Sequence, residues 1–147
     1  EANLTLTADA GPLMGQFNRR GDRLYVIHEG SPYLSVIDPL TLALIKRVHV
    51  GVGLVFIKLD SATDMLYAVR RGDTRIEVYD PMSLVPGDYL EAMAGITYMT
   101  IDGEANSLHL VSEETNRLIA ISLVSKKTLS ETDIGHGSSW VTVMGER

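Results

Sequence analysis

The sequence contains no cysteine, one tryptophan and two phenylalanines among its 147 residues. Without cysteine the chain cannot form disulfides or bind zinc through thiolates, and iron–sulfur clusters and covalent c-type haem are excluded as well. Lysine and arginine never occur more than two in a row and the net charge is −6, so we expect no nucleic-acid partner. No apolar run approaches the roughly 20 residues of a membrane-spanning helix, so we expect no membrane span.

The sequence contains instead an internal repeat of 42 residues that runs without a gap. The segment 23–30, Arg-Leu-Tyr-Val-Ile-His-Glu-Gly, returns in related form at 65–72 and again from 107. A fixed period of this length means that each unit is one supersecondary element stacked on the next. The units are about 13–54, 55–96 and 97–138, and we expect them to form a single domain over 1–147. Matching positions are Leu24, Leu66 and Leu108; Gly53, Gly95 and Gly137; and Phe56, Tyr98 and Trp140.

Each unit contains four candidate β-strands. The runs are short, rich in Val, Ile, Leu, Thr and Tyr, and separated by turn residues, which favours strands over helices. Apolar residues occupy both faces of the middle strands, so each sheet needs a neighbour on both sides. The predicted strands are 13–18, 23–29, 33–38 and 44–50; 55–60, 65–70, 75–80 and 88–93; and 97–102, 107–112, 117–122 and 128–134.

Four antiparallel strands in every 42 residues, stacked face to face, predict an all-β fold, a β-propeller segment of three four-stranded blades. A solenoid of parallel turns would have a shorter period, and a sandwich would not keep a gapless repeat. The predicted core between and within the blades is Leu24, Val26, Val36, Leu66, Val78, Leu108 and Ile121.

The hairpin motif resembles the YVTN-type β-propeller repeat over nearly the whole chain. Leu-Tyr-Val at 24–26 is followed by Val-Ile-Asp at 36–38, and Gly-Pro at 11–12 falls at the matching place of the loop that leads into the first strand. The sequence departs from the family at its Thr-Asn signature. The three units have Ile-His at 27–28, Val-Arg at 69–70 and Val-Ser at 111–112 in its place.

The two ends match halves of further blades. Asn3–Thr7 occupies the outer-strand position of a preceding unit, and Trp140–Met144 falls within the inner-strand position of a following one. We therefore expect one extra outer strand at the N-terminus and one extra inner strand at the C-terminus. Known rings have about four to eight blades, so three cannot close. We expect a second polypeptide to complete the ring by strand addition at these two segments.

A ligand-binding site is predicted at the mouth of the central channel. His136 lies in a glycine-rich loop, Ile-Gly-His-Gly, that leads into an innermost strand, and in propellers such loops line one mouth. Phe56, Tyr98 and Trp140 recur at one position of the innermost strand. A ring of aromatics there is either a ligand cage or a packing layer between blades, and the repeat favours packing. The candidate ligand-binding residues are His136, Trp140, Tyr98 and Phe56.

Other polar groups point to structure rather than chemistry. The four histidines occupy four different positions of the repeat, so symmetry does not assemble a metal site from them. Asp38 and Asp80 each precede a proline and are interpreted as turn residues rather than calcium ligands. Arg70 and Arg71 are interpreted as solvated charges at a strand end. No hydrolase, metalloprotease, P-loop or dinucleotide motif occurs, so we expect no enzyme, no catalytic residues, no metal and no cofactor.

Two functions remain open. The first is a non-enzymatic extracytoplasmic scaffold or binding module that acts through protein–protein interaction. The resemblance implies this localisation, periplasmic, cell-surface or secreted, and the lack of cysteine agrees with an oxidising compartment. The alternative is the propeller part of a larger periplasmic redox enzyme complex, which would supply a docking surface but not the catalytic residues. A fragment with no independent role is the third possibility.

Overall fold

The computed structural model describes residues 11–143, which form twelve strands in three four-stranded antiparallel sheets. Every strand lies within two residues of its predicted bounds. Each sheet uses four consecutive strands in sequence order, as a propeller blade does. The strands are β1 (Pro12–Phe17), β2 (Leu24–His28), β3 (Tyr33–Ile37) and β4 (Leu44–His49); β5 (Leu54–Leu59), β6 (Leu66–Arg70), β7 (Arg75–Tyr79) and β8 (Pro86–Glu91); and β9 (Ile96–Asp102), β10 (Ser107–Ser112), β11 (Arg117–Ser122) and β12 (Thr128–Asp133).

The three sheets pack in series, with β5 in contact with both β1 and β9. Alternation along the strands gives the second sheet two different apolar faces. Leu66, Ala68 and Tyr79 pack with the first sheet. Tyr67 and Val69 pack, with their neighbours on β7, against the third sheet. The two hydrophobic clusters therefore lie between blades, as the apolar character of both strand faces predicts.

The predicted core is confirmed except at one position. Val26, Val36, Leu66, Val78, Leu108 and Ile121 are buried. Leu24 is only half-buried, and it lies at the start of β2. Its counterparts Leu66 and Leu108 are enclosed because each faces a preceding blade in the described chain, which Leu24 does not.

The same backbone irregularities recur in every blade. A β-bulge follows the start of each inner strand, at Leu13, Val55 and Thr97. A second bulge lies on each outer strand, at Ile45, Gly87 and Leu129. Bulges bend a strand and increase its local twist. Their 42-residue spacing gives the three blades one common shape.

The turns between third and fourth strands are also equivalent. Asp38 accepts hydrogen bonds from the backbone N–H groups of Leu40 and Thr41, and Asp80 accepts them from Met82 and Ser83. In the third blade the hydroxyl oxygen of Ser122 replaces the aspartate and accepts hydrogen bonds from the backbone N–H groups of Val124 and Ser125. The interpretation of Asp38 and Asp80 as turn residues is confirmed. The residues four positions after Asp38, Asp80 and Ser122 have a left-handed backbone conformation. They are Leu42, Leu84 and Lys126, with φ angles of 58°, 53° and 61°.

The two extra strands are not part of the described architecture. Asn3–Thr7 lies outside the described residues, and so does Met144 at the end of the C-terminal segment. Residues 138–143 contain no strand. An inner strand hydrogen-bonds to the second strand of its own blade, and residues 11–143 supply no such strand for this segment. Over the same range no helix is long and apolar enough to cross a membrane.

Candidate functional site

In the second and third blades, the polar residue at the end of the second strand is hydrogen-bonded to the loop that leads into the first strand. In the second blade Arg70 donates to the carbonyl oxygens of Val50 (2.7 Å) and Val52. In the third blade the hydroxyl of Ser112 donates to the carbonyl of Ala94 at 2.8 Å. Val52 and Ala94 are equivalent positions of the repeat. These ties hold the lead-in loop in place at one end of the blades.

Arg70 is also paired with a buried carboxylate. Its Nε and Nη2 donate to the two carboxylate oxygens of Glu77 at 2.9 and 3.0 Å, and the hydroxyl of Tyr79 donates to the same group. The hydrogen bond to Glu77 raises the pKa of Arg70 above its usual value. Burial, followed by the bond to Glu77, raises the pKa of Tyr79. The interpretation of Arg70 as a solvated charge is wrong, because its side chain is a bridge between β6, β7 and the lead-in loop.

In the first blade the equivalent position is His28, which is buried. Its Nε2 lies 2.9 Å from the hydroxyl oxygen of Ser35, the counterpart of Glu77. His28, Arg70 and Ser112 occupy equivalent positions of the repeat. The side-chain type therefore changes from blade to blade while a hydrogen-bonding group at this position is kept.

Phe56 and Tyr98 are brought together at the junction of the second and third blades. Their ring centroids lie 5.4 Å apart with the planes inclined by 64°, an edge-to-face contact. Both residues directly follow a bulge, in β5 and β9. The pair connects adjacent blades, as a packing layer does, and Phe56 also forms part of a cleft.

This cleft has a volume of about 380 Å³ and opens at the end of the blades that carries the lead-in loops. Its apolar walls are Val55, Phe56, Val69 and Ile96. The rest of the lining comes from three places. Arg70, Arg71 and Gly72 lie at the end of β6 and in the β6–β7 turn, Gly95 and Thr97 lie at the start of the third blade, and Glu114 lies in the β10–β11 turn.

Charges of opposite sign stand on the two sides of the cleft. Arg71, in the β6–β7 turn, is exposed and has no ion-pair partner among the described residues. Glu114, in the β10–β11 turn, is exposed and lies against Gly95. A Cβ atom at Gly95 would be 2.3 Å from the Cβ of Glu114, so only glycine lets this side chain lie there. Gly95 also has a φ of 68°, which favours glycine in addition.

The other two predicted site residues do not join Phe56 and Tyr98. His136 is exposed in a turn after β12. Trp140 is 66% exposed and forms no ring contact with the other aromatic residues of the described chain. The packing layer predicted from the recurrence of Phe56, Tyr98 and Trp140 thus contains the first two only. Its third member needs the face of a further blade, which residues 11–143 do not provide.

The arrangement is suited to binding. Within residues 11–143 no three His, Asp or Glu side chains are grouped closely enough to hold a metal ion. Beside its apolar surface the cleft has Arg70, which is hydrogen-bonded within the protein, the exposed Arg71 and the carboxylate of Glu114, so it can hold a ligand by contact and charge pairing. Sequence reasoning did not select Arg71 or Glu114. The sequence does contain one feature that marks Arg71, a reversal of charge within the repeat. Its position is Glu29 in the first unit and Glu113 in the third.

Comparison with known proteins identifies the fold. No family model and no curated protein sequence matches the chain. A solved structure of hydrazine synthase from Kuenenia stuttgartiensis, a propeller-containing protein, is similar with a TM-score of 0.75 and 13% identity, covering 92% of this chain and 40% of that one. The WD40 propeller U3-55K has a TM-score of 0.69 and 6% identity, covering 83% and 39%. The chain thus spans about two fifths of the structures it matches. At these identities the likeness establishes the fold alone: the chain is an all-β segment of a β-propeller with three four-stranded blades.

Proposed function

We propose that this chain is a non-enzymatic β-propeller module of the YVTN type that binds other proteins outside the cytoplasm, and that a second polypeptide completes its ring. The observation that carries the proposal is the outward face of the third blade. Its half-buried His109 and Leu118 and its buried Val111 and Ala120 occupy the positions that Tyr67, Ile76, Val69 and Val78 use to pack against a following blade. A face built in this way is suited to a fourth blade.

The extent of the structural matches supports the same idea. Three blades are about 43% of a seven-bladed ring, and the chain spans 40% and 39% of the two matched protein chains described above. The strand positions Asn3–Thr7 and Trp140–Met144 are where the completing polypeptide would add strands.

The extracytoplasmic assignment depends on the residues of the repeat. The Leu-Tyr-Val and Val-Ile-Asp runs resemble YVTN repeats, and the lack of cysteine suits an oxidising compartment. The proposal of a binding module rather than an enzyme depends on the nature of the cleft, whose charged groups are the exposed side chains of Arg71 and Glu114. Exposed charges of this kind suit recognition of a partner.

The second candidate is the propeller part of a larger periplasmic redox complex. Its support is that one structure sharing this fold belongs to a hydrazine synthase. In that case the chain would present a docking surface while another subunit carried the redox centre.

The test is native mass spectrometry of the assembly purified with the tagged chain. We expect a stable complex of the 16.1 kDa chain with one further polypeptide of comparable or larger size. A well-folded monomer, or a homodimer with no other chain, would contradict ring completion. Absorbance spectroscopy and metal analysis of the same sample separate the two functions, because a visible chromophore or stoichiometric metal would favour the redox complex.

A further inference from the structure

We propose that the cleft between the second and third blades recognises an extended peptide segment of a partner protein, in which an apolar side chain lies between an acidic and a basic residue. The inference rests on the proposed role as a protein-binding module and specifies which surface binds and what chemistry it selects. It places recognition at Phe56, Arg71 and Glu114 rather than at His136 and Trp140.

The apolar part of the cleft supplies the anchor position. Val69 and Ile96 are buried, and Phe56 is half-buried and fixed by its edge-to-face contact with Tyr98. The volume of about 380 Å³ lies at the small end of the range of roughly 300–1,000 Å³ for ligand pockets. A cleft of this size suits one leucine or phenylalanine side chain and its flanking backbone. Central apolar anchors of this type supply much of the affinity of protein interfaces.

The cationic side of the cleft is Arg71 and not its neighbour Arg70. The guanidinium of Arg70 donates to Glu77, Val50 and Val52, so the protein itself uses its donors. The side chain of Arg71 is exposed and has no ion-pair partner in the part of the chain that the structure describes. Arg70 is therefore occupied within the protein, whereas Arg71 is available to a carboxylate of the partner.

The anionic side is Glu114, with Glu113 next to it in the β10–β11 turn. Contact with Gly95 places the Glu114 carboxylate beside the lead-in loop of the third blade. The junction between the first and second blades has Glu29 and Gly72 at the positions of Arg71 and Glu114. Opposite charges on the two sides are therefore a property of this cleft and not of the repeat.

A partner segment that matches this surface carries one charge of each sign. Its carboxylate would pair with Arg71 and its cation with Glu114, with the apolar residue against Phe56 between them. Exposed charge pairs contribute modestly to affinity, but they discriminate against a like charge. The cleft should therefore select a mixed-charge segment over one with two acids or two bases.

The experiment compares three fluorescent heptapeptides that share a central phenylalanine flanked by glycines. One carries aspartate and lysine on its two sides, one carries two aspartates and one carries two lysines. Fluorescence anisotropy with the full chain at low salt should give tightest binding for the mixed peptide, by roughly two- to fivefold. Replacing the central phenylalanine with glycine should weaken binding by at least about tenfold.

Single charge reversals should change the order of preference. With Arg71→Glu both sides are acidic, so the two-lysine peptide should bind best. With Glu114→Lys both sides are basic, so the two-aspartate peptide should bind best. The matched controls are Lys127→Glu and Glu104→Lys, which change the net charge equally at exposed positions in the opposite turns. They should leave the wild-type order intact.

An order of preference that Arg71→Glu and Glu114→Lys do not alter would overturn the proposal, and so would the absence of saturable binding by the mixed peptide. Circular dichroism of each variant checks that the fold is retained, which is expected because surface substitutions of this kind usually change stability little. The cleft lies between the second and third blades, away from both ends of the arc. Ring completion measured by native mass spectrometry should survive both reversals, so failure of peptide recognition is distinguishable from failure of the proposed function.

Discussion

Arg70 at the end of β6 and Glu77 on β7 form a two-pronged ion pair with hydrogen bonds of 2.9 and 3.0 Å. The side chains are 21% and 10% exposed. Arg70→Met should lower the free energy of unfolding by about 2–3 kcal/mol, because the buried Glu77 carboxylate loses its partner and the lead-in loop loses its donor. Urea unfolding measures the change. The double variant Arg70→Met/Glu77→Leu should recover part of the loss, and strictly additive effects would contradict the pairing.

Leu66→Ala tests the packing between the first and second blades. Leu66 is 1% exposed in the cluster that joins them, so its truncation should lower the free energy of unfolding by about 2–5 kcal/mol. Leu24 is the equivalent residue one repeat earlier and is half-buried. Leu24→Ala should therefore cost clearly less in the same denaturation experiment. Equal losses would show that the two repeats are packed alike.

The Asp80 turn should contribute stability that depends on pH. Backbone N–H groups of Ser83 and Met82 lower the pKa of Asp80. A pKa lowered in the folded state means that the stabilisation is present above the unfolded pKa and is lost as the pH falls through the folded pKa. Thermal unfolding of Asp80→Ala should show a lower melting temperature at neutral pH, with a smaller difference from wild type in acid.

Asp80→Ser is the matched control for this turn. Ser122 fills the same position in the third blade and accepts the equivalent hydrogen bonds without a charge. At neutral pH, the melting temperature of Asp80→Ser should be higher than that of Asp80→Ala. Its melting temperature should not show the loss in acid that protonation of Asp80 causes in wild type. A serine variant with the full pH dependence of wild type would assign that dependence to another group.

Leu42 and Leu84 should respond differently to glycine although both adopt left-handed backbone angles. Leu84 is 2% exposed and packs in the core, so Leu84→Gly should cost roughly 2–5 kcal/mol. Leu42 is only half-buried, and glycine relieves its backbone strain while raising the entropy of the unfolded chain. Leu42→Gly should therefore change the unfolding free energy by less than about 0.5 kcal/mol. Chemical denaturation of both variants checks this contrast.

Trp140→Ala separates the isolated chain from the completed ring. The exposed indole should add little to the stability of the chain alone, so its melting temperature should stay nearly unchanged. Phe56→Ala should lower it, because Phe56 packs on Tyr98. In the proposed assembly, Trp140→Ala should increase the rate at which the completing polypeptide dissociates from this chain. Equal dissociation rates for wild type and variant would show that Trp140 does not contact that polypeptide.

The fold could be predicted from the sequence because the 42-residue repeat shows where each blade begins and ends. Strand positions, the three-blade division and the core positions Leu66 and Leu108 follow from periodicity and residue type. The site could not be predicted in the same way, since it depends on where the repeat is broken. Arg70 and Arg71 are adjacent and chemically alike, yet one is bonded to Glu77 and the other faces the cleft. Arg70 finds its partners on β7 and in the lead-in loop, and these contacts between elements cannot be read from two adjacent arginines.

The unlike faces of a blade determine the orientation in which a further blade can be added. Residues such as Leu66 face the preceding blade, whereas Tyr67 and its neighbours face the following one, so both junctions in the described chain are head-to-tail. Head-to-tail contacts form a closed ring only when the accumulated rotation matches a full circle. Any further blade can therefore join the third blade in one orientation only, with the face that corresponds to Leu66 turned towards it.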